Sequence, residues 1–105
     1  MAEIRFSPES LRDLQEIMDY ISDDLANPTA AGRTVSGILD KIKILSSFPE
    51  IGSPLSAITG FDTNYRFLVC GKYMAFYRVE DGTVFIIRII YGRRNYMEIL
   101  FGKQE

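Results

Sequence analysis

Apolar positions recur at helical spacing twice in the first half of the chain and crowd into strand-like runs in the second. Glu3 to Phe6 reads as a short first strand. Ser7-Pro8-Glu9 then supplies a capping hydroxyl, a proline at the first helical position and an acid in the first turn, the marks of a helix start. Leu11, Leu14, Ile17, Met18, Ile21 and Leu25 form the stripe of that helix, and Asp13, Glu16, Asp19, Asp23 and Asp24 are assigned to its solvated face. Asp23 and Asp24 stand at the unfavourable end of the helix dipole, so fraying is expected there. Asn27-Pro28 ends this pattern and begins another, striped by Val35, Ile38, Leu39, Ile42 and Leu45 and closed by Phe48-Pro49. The link is short, so the pair should form an antiparallel hairpin. Each helix needs a sheet to cover its stripe.

Glu50 to Thr63 reads as a loop, punctuated by Gly52, Pro54 and Gly60, with no phosphate-cradle spacing. Three strands follow at about Tyr65–Cys70, Tyr73–Glu80 and Thr83–Tyr91, the last two joined by an Asp81-Gly82 hairpin turn. Extending that turn without a bulge pairs Tyr77 with Ile86 and Ala75 with Arg88. One face then carries Tyr73, Ala75, Tyr77, Ile86, Arg88 and Ile90; the other carries Met74, Phe76, Phe85, Ile87 and Ile89. The second is greasier and is expected to lie under the helices, leaving Arg88 and the tyrosines on an open face. A two-residue Gly71-Lys72 turn adds Arg66 to that open face; a three-residue turn removes it. Met97, Leu100 and Phe101 recur at near-helical spacing, so the tail should dock a last helical turn on the sheet. The expected fold is α+β in one domain, 1–105: a strand, a helix hairpin, then a three-stranded antiparallel meander with helices on one face.

Composition narrows the chemistry. The chain has 105 residues, 47% apolar and 25% charged, an ordinary globular mix. No apolar run spans a bilayer and the first residues lack a signal-peptide stretch, so a cytoplasmic protein with no membrane contact is expected. Cys70 is the only cysteine and fits a small core residue in a reducing compartment. The absence of histidine excludes Ser-His and Cys-His nucleophile systems, and neither a metal site nor a cofactor is expected. The net charge of −2 hides an asymmetry: residues 1–63 hold 5 Lys and Arg against 10 Asp and Glu, whereas residues 64–105 hold 7 against 4. A polyanion should therefore meet the C-terminal part.

The strongest candidate for function is the cluster Tyr91-Gly92-Arg93-Arg94-Asn95-Tyr96, where cations and phenol rings meet at a strand end. With Arg66, Tyr73 and Arg88, the residues Arg93, Arg94 and Tyr96 make up the expected target- or RNA-binding surface.

The order of elements, with Phe6-Ser7-Pro8-Glu9, Phe48-Pro49-Glu50-Ile51-Gly52, Tyr65-Arg66, Phe76-Tyr77-Arg78-Val79 and Ile86-Ile87-Arg88-Ile89 running into Gly92-Arg93-Arg94, resembles the RelE/ParE superfamily of type II toxin–antitoxin toxins. The resemblance implies a small curled sheet and an antitoxin partner, with Met97, Leu100 and Phe101 as antitoxin contacts, and assembly as a homodimer or a heterotetramer with the antitoxin. It implies one of three activities. A ParE-like toxin binds an essential target, DNA gyrase first. A RelE-like mRNA interferase cuts mRNA on the ribosome, here with Arg66, Arg94 and Tyr96 as catalytic residues. A degenerate member only binds its antitoxin. The chain departs from the RNA-cutting pattern at Met74, where a second sheet arginine is expected, at Leu100, which aligns with a tyrosine, and at Asn95, in place of an aspartate. These departures and the acidic helix pair favour the ParE-like branch.

Overall fold

Ser7 starts the first helix as its sequence position implies: its hydroxyl accepts the Ser10 N–H at 3.0 Å. In the computed structural model, which describes residues 1–60 and 62–102, strand β1 (Glu3–Phe6) leads into helix α1 (Pro8–Asp19). A π-helical turn, Tyr20–Asp24, extends α1, and the Leu25 N–H closes it on the Tyr20 carbonyl at 3.1 Å. This wider turn keeps Ile21 buried but leaves Leu25 more than half exposed, so Leu25 drops out of the expected stripe. Leu11 is likewise exposed. Asn27 caps helix α2 (Pro28–Lys43) by accepting the Ala30 N–H at 3.1 Å, and a 3-10 turn, Ile44–Ser46, follows.

The stretch read as a loop contains two short elements, strand β2 (Ser53–Pro54) and helix α3 (Ser56–Thr59); position 61 of that stretch lies outside the described residues. Strands β3 (Arg66–Cys70), β4 (Tyr73–Glu80) and β5 (Thr83–Tyr91) then form the meander, and helix α4 (Tyr96–Phe101) follows. The sheet order is β1-β5-β4-β3-β2, with β1 parallel to β5 and the other neighbours antiparallel. Both hairpin turns are two residues long. Asp81 and Gly82 have φ of 50° and 76°, the left-handed pair that such a turn requires.

The sequence-based face assignment is inverted. The helices cover Tyr73, Ala75, Tyr77, Val79, Val84, Ile86 and Ile89, which pack with Leu14, Ile17, Ile38, Ile42 and Leu45. Met74, Phe76 and Ile90 form a second, smaller core with Leu55, Tyr65, Phe67 and α4. Within that inversion a bulge opposite Phe76 and Tyr77 shifts the end of β5: Tyr77 pairs with Ile86, but Phe76 pairs with Arg88 and Ala75 with Ile89 rather than with Arg88, so Ile89 rather than Ile90 joins the helix side. One extra residue in β5 reverses the facing of everything after it. Of the face expected under the hairpin, Met74 and Phe76 are covered instead by α4 and the β2–α3 segment, Ile89 does reach the helices, and Phe85 and Ile87 stay half-buried.

Candidate functional site

Beyond Phe6 no strand among the described residues lies beside the outer edge of β5, and α1 supplies the missing partner. The Asp13 carboxylate accepts the Ile89 N–H at 2.8 Å and holds Arg88 through Nε at 2.8 Å and Nη2 at 2.9 Å. Asp13 is therefore buried, not on the solvated face of α1. Arg88 is turned to α1 and engaged by it, not displayed on an open face. The bond from Asp13 raises the Arg88 pKa above its ordinary value, against the opposing effect of burial.

This corner of the sheet opens into a groove of about 1000 Å³ between α1 with its π-helical turn, α2, the β3–β4 turn and the end of β5. Arg33, Lys41, Lys72 and Arg94 line it, as do Tyr20, Tyr73 and Tyr91. Arg33 and Lys41 reach it from one side of α2, where a spacing of four and eight residues aligns Arg33, Gly37 and Lys41. Lys72 stands in the β3–β4 turn, and the Gly92 N–H donates to its carbonyl at 2.9 Å, tying that turn to the corner that carries Arg94. The Tyr73 and Tyr91 rings meet edge-to-face with centroids 5.7 Å apart. Burial, then the nearby Tyr91 and Tyr20 phenols, raise the Tyr73 pKa, so its hydroxyl keeps its proton at neutral pH. Burial pushes the Cys70 thiol, in the same wall, up to about 11. Such a thiol is not a nucleophile at neutral pH.

The expected site residues separate into different places. Tyr73, Arg88 and Arg94 line the groove; Arg93 is exposed outside its lining. Arg66 lies opposite Tyr77 in the register and donates to the Gly52 carbonyl at 2.8 Å and the Glu50 carbonyl at 3.3 Å. It ties down the segment before β2 instead of facing outward. Tyr96 packs on Phe76 with centroids 5.2 Å apart, in the second core with Met97, Leu100 and Phe101. The groove thus includes Arg94 but neither Arg66 nor Tyr96, so the three residues of the RNA-cutting set do not share it. Arg78 pairs with Glu80 and stacks over Phe85 at 4.6 Å. Arg33, Lys41, Lys72 and Tyr20 belong to no motif legible in the sequence. The helical alignment of Arg33 with Lys41 was the available signal. Among the described residues, no His, Cys, Asp or Glu cluster is arranged to hold a metal ion, and no helix is long and apolar enough to cross a membrane.

This architecture is that of the RelE/ParE superfamily. It superposes on the chromosomal ParDE toxin–antitoxin system from P. aeruginosa with a TM-score of 0.72 and 23% identity, covering 87% of this chain and 96% of that one. The RelBE2 toxin–antitoxin complex from Mycobacterium tuberculosis matches with a TM-score of 0.52 and 22% identity, over 86% of this chain and 96% of that one. No curated protein matches the sequence. The profile of the family described as the ParE toxin of the type II toxin–antitoxin system, parDE, matches residues 4–96. The chain belongs to that family and is the toxin of a type II toxin–antitoxin system.

Proposed function

We propose that this toxin arrests growth by binding an essential protein, with DNA gyrase as the target, and not by cutting mRNA on the ribosome. The observation that carries the reading is the internal use of the strand arginines. Arg88 is held by Asp13 and Arg66 by two backbone carbonyls. Cleavage by a 2′-hydroxyl needs cations aimed at the phosphate and a group that moves a proton. Met74 offers neither, and the Tyr96 ring is packed against Phe76. The exposed Arg93 and Arg94 suit contact with an acidic protein surface. A cytoplasmic site of action accompanies that target.

The second partner is an antitoxin, as the family match and the two toxin–antitoxin neighbours support. Met97, Leu100 and Phe101 are half-buried, so the outer side of α4 offers apolar surface for a partner helix. A homodimer, or a heterotetramer with the antitoxin, covers the same surface. Purified toxin added to a gyrase supercoiling assay is expected to block supercoiling. Unimpaired supercoiling, together with truncated transcripts in expressing cells, would establish the mRNA interferase instead. An inert wild-type chain would mark a member that only binds its antitoxin.

A further inference from the structure

Arg33, Lys41, Lys72 and Arg94 converge on one groove from three separate stretches of chain: α2, the β3–β4 turn and the corner after β5. None makes a side-chain hydrogen bond or ion pair among the described residues. Two carboxylates also line the groove, but Asp13 is already neutralised by Arg88, which leaves Glu16. The groove therefore holds an excess of positive charge in a chain whose net charge is −2. Like charges gathered around a concavity raise the local concentration of anions. The volume of about 1000 Å³ lies at the upper end of small-ligand sites.

We infer that this groove binds a free nucleotide carrying two or more phosphates, with the phosphates against Arg33, Lys41, Lys72 and Arg94 and the base on the Tyr73–Tyr91 ring pair. Protonated phenols and guanidinium groups both donate to phosphate oxygens. An aromatic surface beside the cations gives the base a stacking partner, which an acidic peptide would not need. A nucleic-acid strand fits less well than a free nucleotide. The exposed Asp19, Asp23 and Asp24 lie beside the groove-lining Tyr20 and Leu25 and would repel phosphates running past the groove.

Titration calorimetry of the purified chain with ATP, pyrophosphate, a single-stranded oligonucleotide and a glutamate-rich peptide tests the assignment. ATP is expected to bind one to one and about tenfold more tightly than pyrophosphate, the difference being base stacking. The exposed positions make Lys41→Glu and Lys72→Glu safe for folding, and each should weaken ATP at least about tenfold. Lys43→Glu, on the same helix but outside the groove, should leave ATP affinity unchanged. No ATP binding, tighter binding of the oligonucleotide or of the peptide, equal affinity for pyrophosphate, or equal loss in Lys43→Glu would each overturn it. The measurement contains no gyrase, so it stands or falls separately from the target proposed above.

Discussion

Asp13 and Arg88, 75 residues apart in sequence, are joined by two hydrogen bonds of 2.8 and 2.9 Å, and the same carboxylate satisfies the Ile89 N–H. One side chain thus performs the work of the strand residue that would follow Phe6 and fixes α1 against β5. Breaking a buried pair by removing one partner leaves a charge without compensation. Asp13→Ala is expected to cost about 3 kcal/mol in urea unfolding, since it strips Arg88 and the Ile89 amide together. Arg88→Ala should cost less, because its side chain is 27% exposed. A double-mutant cycle between the two measures the coupling, and an additive result would refute it.

Arg94 offers the opposite behaviour. It is exposed, and its side chain makes no hydrogen bond or ion pair among the described residues. Arg94→Ala should leave stability within about 0.5 kcal/mol of wild type while sharply reducing toxicity in cells. Full toxicity in that variant would remove the basic corner from the mechanism.

Gly52 has no room for a side chain. An added Cβ would lie 2.5 Å from the Tyr77 hydroxyl and 2.6 Å from the Phe67 carbonyl. The Gly52 N–H donates to that same hydroxyl at 2.9 Å. Gly52→Ala should therefore lower the melting temperature clearly. Tyr77→Phe, which orphans the amide, is expected to cost about 1–3 kcal/mol. A variant of either kind with wild-type melting would show that the segment before β2 yields without cost.

Alkaline pH should destabilise the fold. Burial raises Cys70 from 9.0 to about 11 and also raises Tyr73 and Tyr77. The unfolded chain sheds these protons first, so the stability these groups contribute is full well below pH 9.0 and is lost as pH rises toward about 11. Denaturant melts at pH 8 and pH 10.5 check the sign. In the native state at pH 8, Cys70 should resist thiol reagents and become reactive only on unfolding.

The isolated chain should self-associate and its partner should suppress this. Phe48 and Ile51 are exposed at 61% and 57%, and α4 adds further apolar surface. Light scattering of the toxin with and without antitoxin measures it; a stable monomer alone would count against the expectation.

The element order was legible because its signals are local. Ser7-Pro8, Asn27-Pro28 and Asp81-Gly82 each act within a few residues, and the structure uses all three as helix starts or a turn. What the sequence concealed depends on distant neighbours. The bulge in β5 carries no marker residue, so the pairing of Arg88 and Ile89 was hidden, and Met74 and Phe76 are covered by α4 and the β2–α3 segment, a cover the sequence did not announce for that face. Asp13 looks like any solvated acid until Arg88 arrives. Strand β2 is two residues long and contains Pro54, which only an edge strand tolerates. The groove is hidden in a count of charge by chain half, because Arg33 and Lys41 come from the acidic half.

Strand β1 pairs with β5, which follows it by about 80 residues of sequence, Glu3 meeting Thr83 and Phe6 meeting Ile86. The sheet therefore cannot close until β5 has left the ribosome, and the contacts that complete the fold are among the last this stretch of chain can make during synthesis.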